Sequence, residues 1–345
     1  MKAVRILQHG GPEVLQIVDM DIPVIRSDQV LLRMSASALN HLDLWVRKGL
    51  PGVPLPITLG SDGSGIIEKF GKQVSEDYKF QIGDEVVIIP INSCGKCEYC
   101  RNDQENLCRQ FRIPGEHFDG FQSEYVAIRP EYLFKKPPEV TMIEAASYPL
   151  TSVTAYHMLI RKAQLKKDEW VLVYGASSGV GSMAVQIARA VGARVITTAG
   201  SDHKSKFAKK LGAEHVINYK KESIAGTVKK LTDENGVDVV FEHTGAATWT
   251  DSIRSLKRGG RLVICGATTG PLVKIDLRSL FIKNQQIIGS TMGTLQDMHK
   301  VNRLIMDGKL KPVVDKVFSY KDIRAAHQHL ESGDQFGKVI ISFES

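Results

Sequence analysis

The residues with the plainest chemistry are four cysteines in one short polar stretch, Cys94-Gly-Lys-Cys97-Glu-Tyr-Cys100, followed by Cys108. Thiolates are soft ligands, and small or polar residues between them let the loop turn around one ion. Four such ligands close a tetrahedral zinc site with no open position, so it would order a loop rather than activate water. Free thiols, a redox pair or an iron–sulfur cluster are the competing uses of the same residues. The fifth cysteine, Cys265, stands alone in the apolar run Leu262-Val-Ile-Cys265 and reads as a core residue.

A second group carries the chemistry of phosphate. Val171-Leu-Val173 is a short apolar run, as expected of a strand buried on both faces. Gly175-Ala176-Ser-Ser178-Gly179-Val180-Gly181 then supplies small residues where the backbone must turn tightly and let a phosphate approach. Met183, Ile187 and Val191 continue at helical spacing, Gly192 ends the helix, and Arg194–Thr198 is the next strand. This is the first βαβ unit of a dinucleotide-binding fold, although only Gly179 and Gly181 keep the glycines of Gly-x-Gly-x-x-Gly; a plain α/β turn is the competing reading. Where such folds carry Asp or Glu for the ribose hydroxyls of NAD, Ala199-Gly200-Ser201 is uncharged and Lys204 follows. Residues 203–230 hold eight Lys against two Glu, a field suited to the 2′-phosphate of NADPH, with most of these lysines on a solvated helix face.

The elements that must hold these groups follow from length and pattern. A chain of 345 residues suggests two domains, and 43% hydrophobic with 24% charged residues matches a soluble protein with a full core. The net charge of +7 is mild and gathers beside the nucleotide turn, so no nucleic-acid partner is expected. No apolar leader and no span of ~18 apolar residues is visible, which makes a cytoplasmic protein with no membrane partner the expectation. Residues 1–90 are β-rich and punctuated by Gly and Pro. Val30–Met34 is a strand, Asn40 begins a short helix, Gly60–Gly65 leads into the strand Ile66-Ile67, and Val86–Ile89 is another strand. Residues 143–163 are helical, with a break or kink from Pro149 near Thr151. Beyond the glycine-rich turn come strands at Val216–Tyr219, Val237–Phe241, Leu262–Cys265 and Gly337–Ser342, with Gly245, Gly259-Gly260, Gly266 and Gly270 in loops at strand ends.

With these residues in view the chain resembles the medium-chain dehydrogenases/reductases, the zinc-type alcohol dehydrogenase and quinone oxidoreductase superfamily, over essentially its whole length. The motifs are Gly60-Ser-Asp-Gly-Ser-Gly65, Gly83-Asp-Glu-Val86, the cysteine quartet, Pro149-Leu-Thr-Ser-Val-Thr-Ala-Tyr156, the glycine-rich turn and Gly337-Lys-Val339. The resemblance implies an α/β fold class in two parts. A β-rich, GroES-like catalytic domain would comprise residues 1–151 and 291–345, and a Rossmann domain with a doubly wound parallel sheet residues 152–290, with the active site in the cleft. It implies cofactor contacts from Thr154, from the turn and from Tyr219 beside the adenosine. It also implies a homodimer or homotetramer paired through the β runs Val273–Ile275 and Ile287-Ile288.

The departures from the family carry the chemical argument. Its alcohol dehydrogenases hold a catalytic zinc with Cys, His and Cys, and those places hold Asn40, Ser61 and about Leu150 here. Leu42 takes the usual proton-relay position. This combination resembles the quinone oxidoreductase branch, which keeps the fold and lacks the catalytic metal. Without a Lewis acid a simple alcohol is a poor substrate, whereas a quinone or an α,β-unsaturated carbonyl needs only hydrogen-bond donors for the anion it forms. The candidate donors are Asn40 and Ser61, then Asp62 and His41. A helix cap for Asn40 and a turn role for Ser61 compete, and Asp43 and Asp62 could instead be buried partners of a nearby base. The expected activity is NADPH-dependent reduction of a quinone, enone or enoyl thioester. A zinc alcohol dehydrogenase and a non-catalytic NADPH-binding protein are the alternatives. The expected cofactors are NADP(H), with Ser201 and Lys204 at its 2′-phosphate, and one structural zinc.

Overall fold

A computed structural model describes residues 1–344 and divides them into two units. The first comprises Met1–Leu150, Thr294–Met306 and Pro312 onward; the second comprises Thr151–Gly293 and Asp307–Lys311.

The first unit is built on a seven-stranded sheet. Its path runs Val314–Ser319, Lys338–Ser342, Val30–Ala38, Asp62–Phe70, Glu85–Ile88 and Leu133–Lys135, with Tyr125–Ile128 also pairing with Val30–Ala38. A smaller sheet orders Leu15–Asp19, Lys2–Ile6 and Ile57–Thr58. Val30, Leu32 and Met34 alternate along their strand into a core shared with Ile67, Val86, Ile88 and Ile341. Beyond Met34 the strand turns to Ser35-Ala-Ser-Ala38, small residues buried on both faces. Of the glycines opposite, Gly65 is forced by backbone, whereas Gly63 faces the flexible end of Met34. A Cβ on Gly63 would lie 2.6 Å from Met34 Cε, and one on Gly65 would lie 2.6 Å from the Arg33 carbonyl. The strand thus begins at Asp62, so Gly63-Ser-Gly65, expected to lead into it, lies within it.

Register brings three distant segments to one end of this sheet. Ala38 pairs with Asp62 on one side and with Ile340 on the other, both antiparallel. Two residues onward from Ala38 is Asn40, and two residues back from Ile340 is Lys338. The Leu39 N–H donates to the Val339 carbonyl at 2.9 Å, so the antiparallel register continues to set Asn40 opposite Lys338.

The second unit carries a six-stranded parallel sheet of Trp170–Val173, Arg194–Ala199, His215–Asn218, Val237–Glu242, Leu256–Ile264 and Gln286–Gly289. Numbered in chain order, these strands lie side by side as 3-2-1-4-5-6, the doubly wound order of dinucleotide-binding sheets. Leu172, Ile196, Ile217, Val240 and Leu262 form its core with Trp249 and Ile253. Three expectations are corrected here. Pro149 does break the helical stretch, but at Tyr148 rather than near Thr151: one helix covers Met142–Ser147 and another begins at Pro149, where a missing N–H costs nothing. Gly259-Gly260 lies inside the long strand Leu256–Ile264 at a register shift, not in a terminal loop. Val273–Ile275 forms no strand, whereas Ile287-Ile288 lies on the edge strand. Among the described residues no helix is long and apolar enough to cross a membrane.

Candidate functional site

Asn40 ends the loop after Val30–Ala38 and precedes the helix His41–Lys48. Its backbone N–H donates to Asp43 Oδ2 at 2.7 Å, and the Gly60 N–H donates to Asp43 Oδ1 at 2.9 Å. Asp43 thereby ties the helix start to the Gly60 turn. Burial pushes its carboxyl up to about 6, outweighing those two N–H groups and the Lys338 charge.

The Asn40 side chain turns inward. Its Nδ2 donates to Asp62 Oδ2 at 2.9 Å, and its Oδ1 accepts from Lys338 Nζ at 2.5 Å. Lys338 Nζ also donates to Asp62 Oδ2 at 2.8 Å, and the Leu150 N–H reaches Asp62 Oδ1 at 2.7 Å. The three side chains close a ring that is almost wholly buried: Asn40 is 7%, Asp62 0% and Lys338 4% exposed. Ser61, also buried, donates its hydroxyl hydrogen to the Pro114 carbonyl at 2.7 Å and in this arrangement offers a substrate only acceptor lone pairs. Leu42 packs against the apolar core, and the His41 ring lies 6.4 Å from that of Trp45. Lys338 was named above only within the motif Gly337-Lys-Val339 and was given no part in the site. Its signal was a lysine opening the apolar run Val339-Ile-Ile341 on a buried strand.

The four cysteines form a structural zinc site. Their sulfurs lie within 4.8 Å of one another. Cys94 and Cys100 sulfurs are 3.8 Å apart, and those of Cys97 and Cys100 are 3.5 Å apart. A tetrahedral ion with Zn–S bonds of ~2.3 Å requires sulfurs ~3.8 Å apart, so the cage fits. The Lys96 and Cys97 N–H groups pull the Cys94 thiol down to about 6, while burial pushes Cys100 up to about 11. Four clustered sulfurs cannot all ionise without a cation among them. An Asn92–Arg112 bridge closes the loop at its base. Among the described residues, this quartet is the one group of three or more His, Cys, Asp or Glu placed to hold a metal.

In the second unit the glycine-rich turn brings a helix start close against the strand that precedes it. Gly175 has φ +58°, and a Cβ on Gly181 would lie 2.2 Å from the Gly175 carbonyl, so only glycine lets the helix Gly179–Val191 start this close to the strand. Ser178 caps that helix by accepting from the Gly181 N–H at 3.0 Å. Among the described residues the N–H groups of Gly179 and Val180 have no acceptor, as is usual in the first turn of a helix, where such groups can meet an anion. Ala176 is buried in the turn. His243, which sequence reading missed, lies beside it, with Nε2 2.9 Å from the Tyr174 carbonyl. A carbonyl only accepts, so Nε2 carries the hydrogen, and burial holds the ring below its usual pKa and neutral.

Ser201 caps the helix Asp202–Leu211 by accepting from the Lys204 N–H at 3.2 Å. The Tyr219 hydroxyl lies over Gly200, where an added Cβ would come within 2.4 Å of it. Thr154 is buried, with Oγ1 3.9 Å from Met292 Sδ. Cys265 follows the strand Leu256–Ile264, and burial pushes its thiol up to about 12, leaving it unreactive.

Residues 26–138 match the family described as alcohol dehydrogenase GroES-like domain, and residues 179–307 match zinc-binding dehydrogenase. The chain is 33% identical to a crotonyl-CoA carboxylase/reductase of Cereibacter sphaeroides, over 94% of this chain and 83% of that one. It is 32% identical to an NAD-dependent alcohol dehydrogenase of Saccharolobus solfataricus, over 99% of each. A crystal structure of an NAD-dependent alcohol dehydrogenase superposes with a TM-score of 0.95 at 42% identity, covering 99% of each chain.

Proposed function

The chain belongs to the zinc-type alcohol dehydrogenase family of medium-chain dehydrogenases/reductases, and we propose that within it the protein is an NADPH-dependent reductase of a quinone or an α,β-unsaturated carbonyl, an enone or enoyl thioester. The observation that carries this reading is the buried Asn40–Asp62–Lys338 ring. By the resemblance, Asn40, Ser61 and about Leu150 take the places where the family's alcohol dehydrogenases hold catalytic zinc, and none offers a thiolate or imidazole. The carboxylates nearby are spoken for. Asp43 accepts two backbone N–H groups, and Asp62 accepts from Leu150, Asn40 and Lys338. A cation already lies among them, the Lys338 ammonium, which argues against a second one.

When bound, the reduced nicotinamide supplies a hydride to the β-carbon of the acceptor. The C=C electron pair then moves onto the carbonyl oxygen, and water returns a proton to the α-carbon. Asn40 Nδ2 carries a second hydrogen beyond the one given to Asp62, and this hydrogen is the donor for that oxygen. The neutral His243 and the open N–H groups of Gly179 and Val180 would orient the cofactor, its pyrophosphate at the helix start. The choice of NADPH rests on this chain's own residues, since two of the relatives above are named NAD-dependent. Gly200 and Ser201 hold no carboxylate for a ribose, and Ser201 and Lys204 lie at the start of the next helix, where a 2′-phosphate would meet them.

The same reading includes a homodimer or homotetramer. Gln286–Gly289 is an edge strand, Ile287 is 39% exposed, and Leu277, Phe281 and Ile282 beside it are 64%, 67% and 54% exposed. An apolar edge of this kind needs cover.

The test is NADPH oxidation against 1,4-naphthoquinone, 2-cyclohexen-1-one and crotonyl-CoA, with acetaldehyde as control. Turnover of at least one of the first three, unaffected by added zinc, is the expected result. The names of the alcohol dehydrogenase relatives favour a second reading, in which only acetaldehyde is reduced and only with added zinc. NADPH binding without turnover of any acceptor would leave a binding protein.

A further inference from the structure

The Asn40 carboxamide has two ends of nearly the same shape and opposite hydrogen-bonding sense. Which end faces an acceptor decides whether Asn40 donates or accepts. An ammonium has three donors and no lone pair, so the Asn40 atom 2.5 Å from Lys338 Nζ must be the oxygen. The Asp62 carboxylate only accepts, so the atom 2.9 Å from its Oδ2 must be the nitrogen. Lys338 and Asp62 are themselves joined at 2.8 Å, which prevents either from drifting away from the amide. The sheet register sets the pair in advance, because Ala38 pairs with both Asp62 and Ile340.

We propose that Lys338 is the positioning residue of the site: by donating to Asn40 Oδ1 it holds the carboxamide so that Nδ2, not Oδ1, is presented to the carbonyl oxygen of the acceptor. This rests on the reading of Asn40 as the donor to that oxygen. A buried Lys–Asp pair kept for stability alone would need no third member, and an apolar trio of the same volume would hold the sheet as well. The ring makes sense if the sense of the amide matters. The ammonium also adds positive charge where the enolate or hydroquinone anion forms.

The experiment has two readouts on the intact protein. In kinetics, Lys338→Met is expected to lower kcat about 10- to 100-fold, within the loss seen on removing an oxyanion donor, with the KM for the nicotinamide cofactor unchanged. Lys338→Arg, which keeps donor-only chemistry, restores most of it. In an Asn40→Ala background Lys338→Met costs less than about threefold, because a residue acting through Asn40 has nothing left to position. In spectroscopy, protein labelled with 15N-asparagine shows the Asn40 side-chain proton pair, identified by its loss in Asn40→Ala. One member lies downfield in the parent and in Lys338→Arg, and this splitting collapses in Lys338→Met. If Lys338→Met leaves Asp62 uncompensated and does not fold, Lys338→Gln replaces it: its amide can satisfy Asp62 but accepts as readily as it donates. Additive losses in the double variant, or an Asn40 spectrum unchanged by removing the ammonium, would overturn the proposal. A parent protein that reduces none of the three acceptors sinks the functional reading instead, and the amide spectrum still decides whether Lys338 orients Asn40.

Discussion

Asp43 offers a measurement of the site that needs no substrate. Its carboxyl is buried beneath the Gly60 turn and pushed from the ordinary 3.8 up to about 6. The charges facing it are Lys338, which favours the ionised form, and Asp62, which opposes it. Below pH ~4 the carboxyl is protonated in both the folded and the unfolded chain. Between that pH and about 6 the unfolded chain gives up its proton and the folded chain keeps it, so the folded state binds more protons. Stability therefore falls as pH rises through this window and stays lower above it. A shift of roughly two units at ~1.4 kcal/mol each amounts to about 3 kcal/mol. Urea unfolding of the parent and of Asp43→Asn from pH 4 to pH 7 isolates this group, because proton and zinc linkage at the cysteines is common to both. The parent should lose roughly 2.5 kcal/mol relative to the variant between pH 4 and pH 7, the rest of the effect lying below pH 4. A flat difference would mean that the two N–H groups and Lys338 compensate burial fully. A difference of the opposite sign would mean that Asp43 is a stabilising charge.

Three further outcomes are expected. Lys204→Ala should raise the KM for NADPH about 10- to 150-fold relative to that for NADH, the value of one charged phosphate contact, and equal use of both cofactors by the parent would refute the assignment. Cys97→Ser should lower zinc content and melting temperature together, with activity lost only as fast as folded protein; two zinc ions per chain in the parent, or turnover abolished by a chelator while the fold persists, would restore the alcohol dehydrogenase reading. Phe281→Glu combined with Ile287→Lys should convert the assembly to monomers in light scattering, and a parent already monomeric at micromolar concentration would refute the proposed pairing.

Elements whose signal is local could be read directly from the chain. Cys94, Cys97, Cys100 and Cys108 lie within one loop, so spacing alone implied the cage that their sulfurs form. The turn from Gly175 to Gly181 is equally local: Gly181 is required because its neighbour in space, the Gly175 carbonyl, is also its neighbour in sequence. The apolar strand read at Val171–Val173 was legible for the same reason. The misreadings arose where local preference met a tertiary constraint. Gly259-Gly260 carries a turn signal, yet it sits in a register shift inside one strand, between Leu256, paired with Val237, and Arg261, paired with Val239 and Gln286. Val273–Ile275 alternates like a strand, but no neighbour offers it a ladder.

The ring around Asn40 belongs to tertiary structure alone. Its members are separated by 22 residues between Asn40 and Asp62 and by 276 between Asp62 and Lys338. The family resemblance named Asn40 and Asp62 as candidates, but each residue type permits a cap, a turn or a buried polar contact with equal ease. What selected among these was the register of three antiparallel strands, which sets Lys338 opposite Asn40 and beside Asp62 in a space closed to water. Charge and hydrogen-bond sense then follow, because a buried ammonium and a buried carboxylate must find each other and leave the carboxamide one orientation. Composition cannot encode that meeting; backbone pairing across the sheet does.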